Sequence, residues 1–213
     1  MPDPRTEIVA ACQLLEETGL THGTSGNISM RAGDQMLITP SATPYGALTP
    51  DMIVAMPLGT GIAAGGLKPS VEWPFHRAIL MARPDVGAIV HTHSRFATIL
   101  SLQRRPIPPL HYMIAAFGGG DIRCADYALF GSDALSENAV AALDGRRGCL
   151  LANHGAITLG DTLPKAMALA RELEELACQA VHAQMMGDAV PLSDDEIAAA
   201  LDGFASYGQA STA

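Results

Sequence analysis

Two apolar runs in this chain end in histidine: A-I-V-H-T-H closes on His91 and His93, and C-L-L-A-N-H-G closes on His154. A strand alternates its faces with period two, so both rings of an H-x-H point the same way. A fourth group, Glu72 in P-S-V-E-W-P-F-H, stands where a helix should open. If the four meet, stretches far apart in sequence must converge on one point, which constrains the fold more than any other feature. Three histidines and one carboxylate are the ligand set of a catalytic Zn²⁺-type site, in which one position stays open or is vacated. A lone strand-end histidine more often packs or faces solvent. Together, though, the four residues point to a metalloenzyme.

The elements between these residues follow from periodicity. Residues Pro4 to Glu17 place Ile8, Val9, Cys12 and Leu15 at helical spacing, with Gly19 as the stop. G-T-S-G-N-I-S-M is a glycine-bearing turn entering a strand, and M-L-I-T-P-S and M-I-V-A-M-P read as further short strands. Gly59 to Gly66 is a loose loop of small residues. Ser70 is the expected N-cap of a helix to about Arg83, with Pro74 in the first turn, where a missing N–H costs nothing. Val86 to His91 is the expected central strand, and Phe96 to Leu102 a helix. Ser132 caps another helix to about Leu143, and Gly148 to Ala152 is a strand followed by I-T-L-G. The longest helix runs from Leu163 to Met186 between Thr162 and Gly187, and its Met167, Ala170, Leu173, Leu176, Ala180 and Ala183 form a packing stripe. Ser193 with Glu196 is a capping box for the last helix. Short strand-to-strand connections favour a mixed, largely antiparallel sheet covered by helices.

Composition narrows the function. A length of 213 residues suits one domain with one sizeable core, and 16% charged residues with 48% hydrophobic ones mark a folded chain. The formal net charge of -9 argues against a nucleic-acid or anionic-membrane partner. A phosphorylated substrate remains compatible, because local N–H groups and a metal ion override the global sign. Cys12, Cys124, Cys149 and Cys178 are widely spaced, without a C-x-x-C. No basic-then-apolar leader opens the sequence, and no apolar run approaches the ~20 residues of a membrane span. These features predict reduced cysteines in a cytoplasmic protein.

The chain resembles the class II aldolases of the fuculose-1-phosphate type, within the wider class II aldolase/adducin family. The matching segments are G-T-S-G-N-I-S, L-I-T-P-S-A-T-P-Y, K-P-S-V-E-W-P-F-H, V-H-T-H, H-Y-M-I-A-A-F-G-G-G, Y-A-L-F-G-S, L-L-A-N-H-G and F-A-S-Y-G, in order along nearly the whole chain. The resemblance implies an α/β fold, a three-layer α/β/α sandwich on a mixed, mostly antiparallel central sheet. It implies one domain over 1–208, with 209–213 as a flexible C-terminal tail, and a homotetramer with active sites between subunits. By the same resemblance, His91, His93 and His154 are zinc ligands, with Mn²⁺ or Co²⁺ as substitutes. Glu72 is both a ligand of the empty site and the acid/base of turnover. Gly26, Asn27, Ser41, Ala42, Ser70 and Val71 line the phosphate pocket. Tyr112, from the neighbouring subunit, handles the proton at the aldehyde oxygen, and Phe130, Phe204 and Tyr207 wall the aldehyde end. Two positions depart from the family pattern: Val71 replaces a serine and Ala42 a glycine.

Breaking a carbon–carbon bond beside a ketone leaves an anion too basic to form quickly in neutral water, and a Lewis acid removes that difficulty. Lys68 and Lys165 stand in no motif that suggests a Schiff base. The expected reaction is cleavage of a ketose 1-phosphate (L-fuculose, 5-deoxyribulose or 5-methylthioribulose 1-phosphate) to dihydroxyacetone phosphate and a small aldehyde. The same fold and metal also serve epimerases, dehydratases and decarboxylases of sugar phosphates. A non-catalytic adducin-like module is the reading from another class, and the intact H-T-H, N-H-G and Glu72 argue against it.

Overall fold

The computed structural model describes residues 3–63 and 65–206. Its strands are β1 (Asn27–Ala32), β2 (Gln35–Ile38), β3 (Val54–Pro57), β4 (Ala88–Thr92), β5 (Arg123–Ala125), β6 (Gly148–Leu151) and β7 (Gly155–Gly160). They form one open sheet in the order β3-β2-β1-β4-β7-β6-β5. Every neighbouring pair is antiparallel except β5 with β6. The strand ending in the H-x-H therefore occupies the middle of the sheet, as its apolar run requires.

The helices are α1 (Pro4–Glu17), α2 (Trp73–Ala82), α3 (Arg95–Ser101), α4 (Asp133–Ala142), α5 (Leu163–Met186) and α6 (Asp194–Ser206). Strand alternation sorts them into layers. On β4, Ile89 joins Phe75, Ile79 and Leu80 of α2 and Leu135 and Ala139 of α4 in one core cluster. Its neighbours Ala88 and Val90 turn to the opposite face, against Ile8, Cys12 and Leu15 of α1 and Met167 and Ala170 of α5. A third cluster extends that second face, with Ala97 and Leu100 of α3 and Leu173 and Leu176 of α5 against Leu150 and Ala156. Each fully buried aliphatic or aromatic side chain contributes roughly 1.5–3 kcal/mol. The outcome is the expected α/β/α sandwich on a mixed, mostly antiparallel sheet.

Caps explain the helix ends. Asp3 accepts from the Arg5 N–H at the start of α1, and Ser132 from the Leu135 N–H at the start of α4. Ser193 and Glu196 form the reciprocal box that opens α6. Helix α5 fills the predicted span and stops at Gly187, whose φ is +78°.

Three local expectations need correction. Helix α2 is capped by Glu72 rather than Ser70, with Pro74 in its first turn. Ser70 instead accepts the Glu72 N–H through its hydroxyl, inside the preceding turn. Residues Tyr112–Phe117, to which the periodicities above assign no element, form a 3-10 helix ending at Gly118 (φ +89°). Strand β5 went unpredicted, because an edge strand of three residues carries no readable alternation. Tyr207 and the 209–213 tail lie outside the described residues.

Candidate metal centre and substrate pocket

The four candidate ligands meet. One ligand atom from each of Glu72, His91, His93 and His154 lies within 4.8 Å of all the others. His91 is the last but one residue of β4 and His93 follows its end, so the strand's two-residue period aims both rings toward α2. His154 stands in the tight turn between β6 and β7, and Glu72 caps α2. The turn sits against β4 because residue 155 is glycine: a Cβ there would lie 2.3 Å from the Thr92 carbonyl oxygen. Gly26, at φ +80°, makes a similar approach on the other side, where a Cβ would lie 2.8 Å from the His91 carbonyl oxygen.

Distances at the centre suit a small cation. Glu72 Oε2 is 3.1 Å from His91 Nε2, Glu72 Oε1 is 3.1 Å from His154 Nε2, and the Nε2 atoms of His91 and His93 are 3.0 Å apart. A tetrahedral Zn²⁺ with bonds of about 2.0–2.1 Å sets neighbouring ligand atoms about 3.3–3.4 Å apart. His91 Nδ1–H donates to the Ala156 carbonyl at 2.9 Å, which aims Nε2 at the cluster. A proton on His91 Nε2 cannot serve both Glu72 and His93. Glu72 Oε1 is buried and, despite its nearness to His154, makes no well-aligned hydrogen bond. A divalent cation satisfies all these atoms at once, so the donor set fits one.

The electrostatics point the same way. Burial alone would raise the Glu72 carboxyl, but the imidazoles of His91 and His154 close beside it outweigh burial and hold the group well below the usual carboxylate range. Burial, and then the nearness of His91 and His154, push the His93 imidazole down to about 3. His93 is therefore neutral, with a lone pair to offer.

Above the cluster opens a pocket of about 350 Å³. It is lined by Gly26, Asn27, Ser41, Ala42, Ser70, Val71 and Phe130, together with Glu72, His93 and His154. Two loops are zipped together to make its wall: the Ser41 N–H donates to the Lys68 carbonyl and the Ser70 N–H to the Thr39 carbonyl, both at 2.9 Å. Those two N–H groups are thus committed, and the hydroxyls remain to face a ligand. Ala42 adopts φ 53°, a left-handed conformation that suits glycine and costs an alanine roughly 1–2 kcal/mol. Val71 is half exposed at the mouth and presents a purely apolar surface where the family pattern noted above has a serine.

Tyr112 and Phe204 lie elsewhere in the protomer. Their rings stack with centroids 6.4 Å apart and line a second cleft with Met113, Ala200 and Gly203. Tyr207 lies outside the described residues. Sequence reasoning missed Tyr127 and Asn153, which also line the pocket. Arg104 donates to Asn153 Oδ1 at 2.6 Å and stands 5.7 Å from the centre of the Tyr127 ring. The available signal for Asn153 was its place beside His154 in a turn: its φ is 53°, a conformation asparagine tolerates.

Known proteins are similar to this chain in sequence and fold. The family model described as Class II Aldolase and Adducin N-terminal domain matches residues 6–181. The chain is 47% identical over 204 residues to a 5-methylthioribulose-1-phosphate/5-deoxyribulose-1-phosphate aldolase of Rhodospirillum rubrum, covering 96% of this chain and 92% of the relative. It is 45% identical over 203 residues to the L-fuculose phosphate aldolase of Escherichia coli K12, covering 95% and 94%. A solved L-fuculose 1-phosphate aldolase superposes with a TM-score of 0.92 at 36% identity, covering 96% of this chain and 98% of that one.

Proposed function

The chain belongs to the class II aldolase and adducin family, and we propose that it reversibly cleaves a ketose 1-phosphate to dihydroxyacetone phosphate and a small aldehyde. It is an aldolase, a carbon–carbon lyase. The observation that carries this reading is the convergence of one carboxylate and three imidazoles on the floor of a pocket walled by serine hydroxyls. The substrates in view are 5-methylthioribulose, 5-deoxyribulose and L-fuculose 1-phosphate. All three end in an apolar group, and Val71, Tyr127 and Phe130 at the pocket mouth suit such ends.

Zinc is the metal we assign to Glu72, His91, His93 and His154, with Mn²⁺ or Co²⁺ as substitutes, because neutral imidazoles preserve the ion's charge. When bound, the ion supplies several kcal/mol of stabilisation to the negative charge that develops as the C3–C4 bond breaks. The chain's own residues do the rest. Ser41, Ser70, Gly26 and Asn27 hold the phosphate and so bring C3 within reach of Glu72. The Glu72 carboxylate removes the C3 proton in synthesis; in cleavage the same group, having taken up a proton once substrate frees it, delivers that proton to C3. Tyr112, as its phenolate or through a water that carries the proton on, takes the proton of the C4 hydroxyl. Groups of this kind each contribute about 10²–10⁴-fold.

Because Tyr112 and Phe204 occupy a cleft apart from the pocket, we assign them to the pocket of a neighbouring subunit in a homotetramer. Large apolar side chains exposed at Tyr127, Leu129 and Phe130 support a partner surface there. Residues 1–208 act as one domain on this reading, in the cytoplasm. Among the described residues no helix is long and apolar enough to cross a membrane.

A panel of 1-phosphoketoses tests the proposal, with dihydroxyacetone phosphate release followed through its NADH-dependent reduction. An aldolase of this kind gives a signal with at least one of the three substrates above. An epimerase, dehydratase or decarboxylase gives none, and silence across the panel would reject the assignment.

A further inference from the structure

A chain of buried polar groups runs behind the metal cluster and ends on Glu72. Asn27 Nδ2 donates to Glu72 Oε2 at 2.9 Å, Asn27 Oδ1 meets His76 Nε2, and His76 Nδ1 lies 2.7 Å from Ser29 Oγ. His76 and Ser29 are wholly inaccessible to solvent. Two periodicities build this relay. Asn27 and Ser29, two apart on β1, face α2, while Glu72 and His76, one helical turn apart, face the sheet. The register that pairs Asn27 with His91 across β1 and β4 brings the relay up to the cluster.

The direction of every bond in the chain follows from its Glu72 end. A carboxylate only accepts, so the amide must turn its NH₂ to Glu72 and its oxygen to His76. That oxygen only accepts, so His76 must carry its proton on Nε2. A neutral imidazole has one N–H, and Nδ1 therefore accepts from the Ser29 hydroxyl. Burial keeps the imidazole neutral, with the neighbouring His91 charge acting in the same sense.

We infer that His76 is a positioning residue for the reaction proposed above. Held as the Nε2–H tautomer by Ser29, it fixes the Asn27 amide in the one orientation that gives Glu72 a donor. It touches neither substrate nor metal and acts only through Asn27. The amide has a second hydrogen, so the same orientation holds a donor at the pocket wall, which Asn27 lines. Without the imidazole N–H, rotation of the amide would place Oδ1 against the Glu72 carboxylate and repel it.

The inference rests on the aldolase reading for its kinetic test and is independent of it for its spectroscopic one. In metal-free protein with ¹⁵N-labelled histidine, His76 should show the pattern of a neutral Nε2–H imidazole throughout pH 6–9. An Nδ1–H or doubly protonated ring would overturn the inference whatever the protein catalyses. In kinetics, His76→Phe should lower kcat by about 10–100-fold, in the range of losses caused by removing groups that orient metal ligands. His76→Gln restores an N–H donor toward Asn27 and should recover most of that loss. In an Asn27→Ala background, His76→Phe should cost little more. Equal losses with and without Asn27 would reduce His76 to a packing role. A native chain inactive on every 1-phosphoketose would defeat the aldolase proposal and leave the tautomer result standing.

Discussion

The floor and the rim of the pocket are built on opposite terms. At the floor, Glu72 and His91 are buried, and groups of the same chain lie against Glu72 Oε2 and both nitrogens of His91. At the rim, Val71, Tyr127 and Phe130 stand more than half exposed, and Tyr112 lies in a separate cleft. The floor owes its geometry to strand register and one helix start, which a single chain settles when it folds. A rim of bare aromatic side chains gains by burial against another surface. On the aldolase reading, chemistry common to several substrates is assigned to the floor and discrimination among aldehydes to the rim.

This contrast breaks most sharply if ligands and rim residues prove equally dispensable. The largest effect is expected for His93→Ala, which removes a neutral donor from the cluster: bound metal measured by mass spectrometry should fall well below one ion per chain, with aldolase turnover lost. Glu72→Gln comes next. It should keep most of the metal, yet kcat should fall by about 10²–10⁴-fold, the range for a general acid–base group. A fully active Glu72→Gln enzyme would remove Glu72 from proton transfer.

At the rim the expected losses are smaller and selective. Tyr112→Phe should slow carbon–carbon cleavage by up to about 10²-fold and leave the metal in place. Exchange of the C3 proton of dihydroxyacetone phosphate, a floor reaction, should be little affected, and equal damage to both would erase the floor–rim distinction. Phe130→Ala should change the ranking of aldehydes by about 10-fold or less, since apolar walls discriminate weakly. The smallest effect is thermodynamic. Ala42→Gly relieves a left-handed alanine and should leave stability within about 1 kcal/mol of the parent or slightly above it, read from the thermal midpoint.

Legibility from the sequence divides along the same line. The floor was readable because H-x-H at a strand end, a histidine closing a second apolar run and a glutamate opening a helix each carry a local signal. Helix α5 was readable between Thr162 and Gly187 for the same reason. Features made by tertiary contact were not: β5 exists because β6 pairs with it, and the cap of α2 moved from Ser70 to Glu72 because Ser70 is tied to Thr39 across two loops. The rim pair Asn153 and Tyr127 is joined through Arg104, a link that no spacing announces. For His76 the sequence shows only a place one helical turn after Glu72, and its partners Asn27 and Ser29 come from β1 through the fold.

The central claim is that four side chains hold one divalent ion without which the carbon–carbon bond does not break. Its direct test is a titration: protein stripped by chelator, then supplied with Zn²⁺ in steps, with dihydroxyacetone phosphate release and bound metal measured at each step. Activity should be absent at the start and rise in proportion to bound metal, reaching a plateau at one ion per chain. Stripped protein that turns over at the full rate with no metal bound would contradict the account.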